Sequence, residues 1–143
     1  MKIFLAADHK GVELAKKIFD YLKDTHEVEY TKLPTSSDDD YPDFAFDVCA
    51  NVINNKNSLG ILLCGNGIGI SIAANKVKGI RCARVTTVED AHHAKNHNGA
   101  NVIAFGGIPF DLAKDIVNTF IETESPLEER HLRRINKIIK YEE

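Results

Sequence analysis

Tryptophan is absent from this 143-residue chain, methionine occurs once, and no apolar run approaches the ~18 residues needed to cross a bilayer. No membrane partner is therefore expected. Cysteine is scarce: there are three. An odd number without metal-type spacing suits neither a disulfide framework nor a structural zinc site, so a reducing cytoplasm is the expected setting. The opening residues, Met1-Lys2-Ile3-Phe4-Leu5-Ala6-Ala7-Asp8, carry too short an apolar run for a secretory signal. Positive charge is not in excess. The 18 Lys and Arg face 21 Asp and Glu, a net charge of −3, which argues against nucleic acid as the main partner. Linkers, internal repeats and low-complexity tracts are missing too, and one domain over 1–143 is expected from the length.

What is present is an alternation of apolar strands with helical periodicity. Strands are expected at Ile3–Ala7, Val28–Leu33, Leu59–Cys64, Ile80–Val85 and Asn101–Phe105. Between them, Val12, Leu14, Ala15, Ile18, Phe19 and Leu22 recur at helical spacing, as do Phe44, Ala45, Val48, Cys49, Val52 and Ile53. Further helices are expected from Ile70 to Val77 and from Val88 to His97, the latter capped by Thr86 or Thr87. Pro109 should open a helix through Phe120, and Pro126 a last, charged helix over about 126–140 carrying Leu127, Leu132, Ile135, Ile138 and Ile139. Pro34–Asp43 reads as a polar loop holding Tyr41-Pro42, with Asp38-Asp39-Asp40 as solvated charge rather than a calcium loop. Five strands alternating with helices predict a doubly wound three-layer α/β/α sandwich: a five-stranded parallel sheet plus the extra C-terminal helix.

In such a sheet ligands bind beyond the carboxyl ends of the strands. Those ends carry Asp8-His9, Cys64 with Gly65-Asn66-Gly67-Ile68-Gly69-Ile70, Thr86-Thr87, and Gly106-Gly107. A thiol at a helix start sits near donors that favour its thiolate, and bare glycine amides can approach an anion. The bland alternative is a structural strand-loop-helix turn with a buried cysteine. The pattern is G-x-G-x-G in the third βα unit, since position 70 is Ile, which matches neither a dinucleotide fingerprint nor a Walker loop. His93 and His97 are four apart on a helix, but no third ligand has suitable spacing, so no metal is expected. His26, His92 and His93 read as exposed, Cys49 and Cys82 as core, and His97 as a cap or a site residue. Arg130 and Arg134, at i and i+4, form either a solvated face or an anion clamp.

Taken together, these residues resemble the ribose-5-phosphate isomerase type B family, which includes galactose-6-phosphate and allose-6-phosphate isomerases. The resemblance covers nearly the whole chain: Asp8-His9, Asp40-Tyr41-Pro42-Asp43-Phe44, Cys64-Gly65, Gly67-x-Gly69-Ile70-Ser71-Ile72-Ala73-Ala74-Asn75-Lys76, Gly79-Ile80-Arg81, His97-Asn98, Asn101-Val102, Phe105-Gly106 and Arg130-His131-x-x-Arg134. It implies a cofactor-free aldose–ketose isomerase acting on a sugar phosphate through a cis-enediolate. Cys64 would move the proton, with amides from Gly65 through Gly67, Ile68 and Gly69 to Ile70 around the enediolate oxygen. His97, with Asp8, would open the sugar ring. Tyr41 and Asn98 would line the sugar site, and His9, Arg130 and Arg134 would take the phosphate. The family implies a homodimer or tetramer with sites shared between subunits.

Four departures bear on substrate. Asn66 replaces the usual Thr or Ser in the catalytic loop, Gly99 replaces an acidic residue, and Ile108 stands where an arginine is common. Leu127-Glu128-Glu129 replaces the usual Gly-Gly before Arg130-His131. Ribose 5-phosphate is the leading substrate. A six-carbon sugar phosphate, a non-catalytic sugar-phosphate-binding subunit and a nucleotide-binding module are the rivals.

Overall fold

The computed structural model describes residues 1–143. Five parallel strands, β1 (Lys2–Ala7), β2 (Glu27–Lys32), β3 (Ser58–Leu63), β4 (Cys82–Arg84) and β5 (Val102–Phe105), lie in the order β2-β1-β3-β5-β4. Six helices accompany them: α1 (Val12–Leu22), α2 (Tyr41–Asn54), α3 (Ile68–Ala74), α4 (Val88–Asn96), α5 (Phe110–Glu122) and α6 (Glu129–Tyr141). The expected doubly wound α/β architecture is the one found.

Strand alternation sorts the core into two layers. Ile3, Leu5, Leu59, Ile61, Leu63, Ile103 and Phe105 face α1, α4 and α5. Phe4, Ala6, Leu62, Val102 and Ala104 face α2 and α3. β3 is buried along its whole length, as a central parallel strand must be. Successive connections run outward in opposite directions from β1 and β3, so the crevice at their carboxyl ends is the topological switch point. Asp8 N–H donates to Leu63 O at 3.2 Å across it, and a Cβ on Gly11 would lie 2.7 Å from the Leu63 carbonyl carbon. The starts of α1 and of the β3 loop are thus pressed together.

Several boundaries differ from the sequence expectation. α2 begins at Tyr41 rather than Phe44, because Pro42 stands in the first turn, where the missing N–H costs nothing. α3 runs Ile68–Ala74 rather than Ile70–Val77. β4 shrinks to Cys82–Arg84 as an edge strand, leaving Cys82 half-buried. Its first residue is held by side chain: Cys82 N–H donates to Asn75 Oδ1 at 2.8 Å, and Asn75 Nδ2 donates to Cys82 O at 2.9 Å. α6 starts at Glu129, not Pro126. Glu128 is extended at its N-cap and Leu127 is 79% exposed, so the proline belongs to the incoming segment. α6 buries only His131 and Ile135.

Candidate active site

Cys64 follows β3 directly, and its N–H donates to Phe105 O at 3.3 Å. The chain then turns through Gly67 at φ 81°, left-handed backbone that glycine adopts without strain. That turn aims Gly67 N–H at Cys64 Sγ, 3.2 Å away. Ile68 N–H donates to Asn66 Oδ1 at 3.0 Å, which leaves the NH₂ end of the Asn66 amide free. The amides of Gly65, Asn66, Gly69 and Ile70 find no acceptor in the chain. Of the expected amide cradle, then, Gly67 and Ile68 serve the loop itself and these four remain for a ligand. Tyr41, at the head of α2, stands over Gly69: a Cβ there would come within 2.7 Å of the ring.

The end of β1 faces this loop. Asp8, 6% exposed, accepts Lys10 N–H at 3.0 Å and Gly11 N–H at 3.1 Å on Oδ1. His9 Nδ1 lies 2.7 Å from Asp39 Oδ1. Together Asp8, His9, Tyr41, Cys64, Asn66 and Gly69 line a cleft of about 300 Å³, with Gly65, Lys10, Asp39 and Asp40. The acidic run is therefore not simply solvated: the Asp39 side chain is only 10% exposed. Asp8, His9 and Asp39 offer ligand atoms within 4.8 Å of one another, the spacing a cation would need. Their hydrogen bonds to the loop and to each other already occupy one oxygen of each carboxylate and one ring nitrogen.

His97, Asn98, Arg130 and Arg134 do not line that cleft. His97 closes α4, its N–H on His93 O at 2.9 Å. Its ring is stacked between His93 (centroids 4.5 Å, 13°) and His131 of α6 (4.4 Å, 15°). Parallel faces turn the His93 and His97 rings flat against each other rather than converging two nitrogens on one point. Desolvation first, then repulsion from His131, His93, His92 and Arg130, lowers the pKa of His97 below the ordinary 6.5. Arg130 Nε donates to Glu128 Oε2 at 2.9 Å, so one of the departing residues occupies one of the expected phosphate ligands. Asn98 lines a larger, mainly apolar hollow of about 640 Å³ between β4 and α6.

Sequence reasoning gave no role to Asp39, Asp40, Lys10 or His131, though Asp40 and His131 stand in motifs quoted above. Nothing local marks Asp39, one acid among three in a loop, and Lys10 reads as an ordinary exposed cation. His131 did leave a signal: it precedes Ile135 by four residues and so shares the buried stripe of α6.

Comparison with known proteins returns a consistent set. The sequence profile described as Ribose/Galactose Isomerase matches residues 3–138. A ribose-5-phosphate isomerase B of Mycobacterium tuberculosis is 41% identical over 146 residues, covering 99% of this chain and 90% of the relative. A putative sugar phosphate isomerase of Bacillus subtilis is 42% identical over 148 residues, covering 100% and 98%. Among solved structures, ribose-5-phosphate isomerase B of Clostridium thermocellum superposes with a TM-score of 0.90 at 40% identity, over 99% and 97% of the two chains.

Proposed function

The chain belongs to the ribose/galactose isomerase family, and we propose that it interconverts ribose 5-phosphate and ribulose 5-phosphate with Cys64 as the proton-transfer base. The observation that carries this reading is the Cys64 sulfur, at the switch-point crevice, accepting an N–H from Gly67 at 3.2 Å beside four amides without acceptors. A carbon acid needs a placed base and a preorganised anion site. Cys64 removes the proton from C2 of the open aldose, the enediolate oxygen is held by loop amides and the Asn66 NH₂ group, the hydroxyl proton passes from O2 to O1, and the carbon proton returns at C1. His97, kept neutral to lower pH than a free imidazole, takes the anomeric hydroxyl proton as the bond from C1 to the ring oxygen breaks, and the freed ring oxygen is protonated from water. Asp8 stands by the ring oxygen, Tyr41 and Asn98 flank the sugar, and His9, Arg130 and Arg134 bind the phosphate.

These residues form two groups within one chain. We infer a homodimer, or a tetramer built from it, in which His97, Asn98, Arg130 and Arg134 of one subunit complete the Cys64 cleft of the other. The thinly buried α6 and the apolar hollow beside it are consistent with that contact. No helix is long and apolar enough to cross a membrane. The three cysteines are free, and we assign the chain to the cytoplasm.

The purified protein, without added metal or cofactor, should convert ribose 5-phosphate to ribulose 5-phosphate. Its kcat/KM should exceed those for allose 6-phosphate and galactose 6-phosphate, by the roughly ten- to two-hundredfold that one methylene-sized difference can supply. A higher value for either hexose phosphate overturns the five-carbon assignment. No turnover of any of the three would leave a sugar-phosphate-binding subunit.

A further inference from the structure

We propose that Asp39 is a positioning residue: its carboxylate fixes the His9 imidazole by its Nδ1 edge, so that Nε2 is the nitrogen presented to the substrate phosphate. The inference rests on the phosphate-binding reading of His9 and adds to it the residue through which His9 is held. Asp39 Oδ1 lies 2.7 Å from His9 Nδ1 and 3.4 Å from the His9 backbone N–H, so one oxygen grips both ring and main chain. The two residues are 30 apart in sequence, and Asp39 reaches the ring from the loop between β2 and α2. Its side chain is only 10% exposed, against 34% for His9. An ionised carboxylate can only accept, so the facing ring nitrogen must carry the proton. His9 Nε2 has no hydrogen-bond partner in the chain, and the residue lines the Cys64 cleft. When the phosphate dianion arrives, an imidazolium donates at both edges, to Asp39 on one side and to the phosphate on the other. Asp39 Oδ2 is buried and without a partner, so every hydrogen bond of this carboxylate goes to His9 through Oδ1.

A rival role for Asp39 is to tether its loop, and hence Tyr41, with no effect through His9. The two roles separate by what is lost. A positioned His9 governs phosphate affinity, whereas a displaced Tyr41 disturbs the sugar and its turnover.

The wild-type protein is first examined by long-range ¹H–¹⁵N correlation, which shows which ring nitrogen of a neutral imidazole carries the proton. The expected result is a proton on Nδ1, and a proton on Nε2 overturns the proposal. Asp39→Ala should then raise both the KM for ribose 5-phosphate and the competitive inhibition constant of inorganic phosphate about tenfold, the size of one lost charge-assisted hydrogen bond, with kcat changing much less. Asp39→Asn keeps the side-chain volume and is the second variant should the alanine protein fold poorly. It should release the tautomer preference in the same spectrum. A loss confined to kcat, with phosphate inhibition unchanged, overturns the proposal in favour of the tether. If His9→Ala leaves the inhibition constant unchanged, the phosphate reading of His9 fails. If His9→Ala raises it and Asp39→Ala does not, only the dyad fails.

Discussion

Three thiols in one chain have three different surroundings. Burial pushes the Cys49 thiol up to about 12, and the Cys82 thiol rises further for the same reason, with Cys49 adding to it. Neither carries useful thiolate at neutral pH. Cys64 alone lines the cleft and receives a backbone N–H on its sulfur. Iodoacetamide should therefore modify Cys64 before Cys49 or Cys82, with ribose 5-phosphate protecting it, as peptide mass mapping will read. Cys64→Ala should cut kcat by roughly a hundredfold to ten-thousandfold, the range of a lost general base, while the far-ultraviolet spectrum stays unchanged. Near-normal turnover by that variant would remove Cys64 from the chemistry.

His97 carries a pH prediction with a definite sign. Its pKa in the folded chain lies below 6.5, through desolvation and then the neighbouring His131, His93, His92 and Arg130. The unfolded chain therefore binds this proton more readily than the folded one. The group's effect is nil well above pH 6.5 and turns destabilising as pH falls from there through the folded value. An NMR titration should place the His97 midpoint below 6.5, and His131→Ala should raise it by removing both cover and repulsion. A midpoint unmoved by that substitution would exclude the stack as the cause.

Among the elements, α6 is the one whose sequence and packing disagree. It is strongly amphipathic, yet it buries only His131 and Ile135, while Leu132, Ile138 and Ile139 are 41%, 52% and 40% exposed. An apolar stripe wider than its own contacts is a face awaiting another surface. We expect Leu132→Glu and Ile138→Glu to leave the fold of each chain intact. They should shift the protein from dimer to monomer in sedimentation velocity and remove most of the activity. Dimers that persist in both variants would place the subunit contact elsewhere.

For the whole molecule, the proposed dimer would make each chain the holder of two half-sites. Homodimers of Cys64→Ala and of His97→Ala should each be nearly inactive. A heterodimer of the two has one site with both lesions and one with neither, so mixed refolding should recover activity in proportion to heterodimer formed. Proven heterodimers without activity would mean that Cys64 and His97 serve the same site from the same chain.

Much of this protein is written locally. Ile61-Leu62-Leu63-Cys64 followed by Gly65, Gly67 and Gly69 must be a buried strand meeting a tight loop, because an apolar run and bare glycines leave little else. The parallel α/β class, and the cysteine at a strand's carboxyl end, follow from that alternation alone. Boundaries slipped where a residue has two uses, as Pro42 does by opening α2 rather than lengthening the loop before it. What only the tertiary structure decided are contacts between residues distant in sequence, whose local surroundings hold no trace of the partner. The order β2-β1-β3-β5-β4 sets Asp8-His9 beside Cys64. Asp39 looks like its two acidic neighbours until the fold brings it against His9. His131 and His97 sit on separate helices, and only packing stacks them. Local periodicity reports which face of an element is buried; which element covers it is settled by the closure of the whole chain.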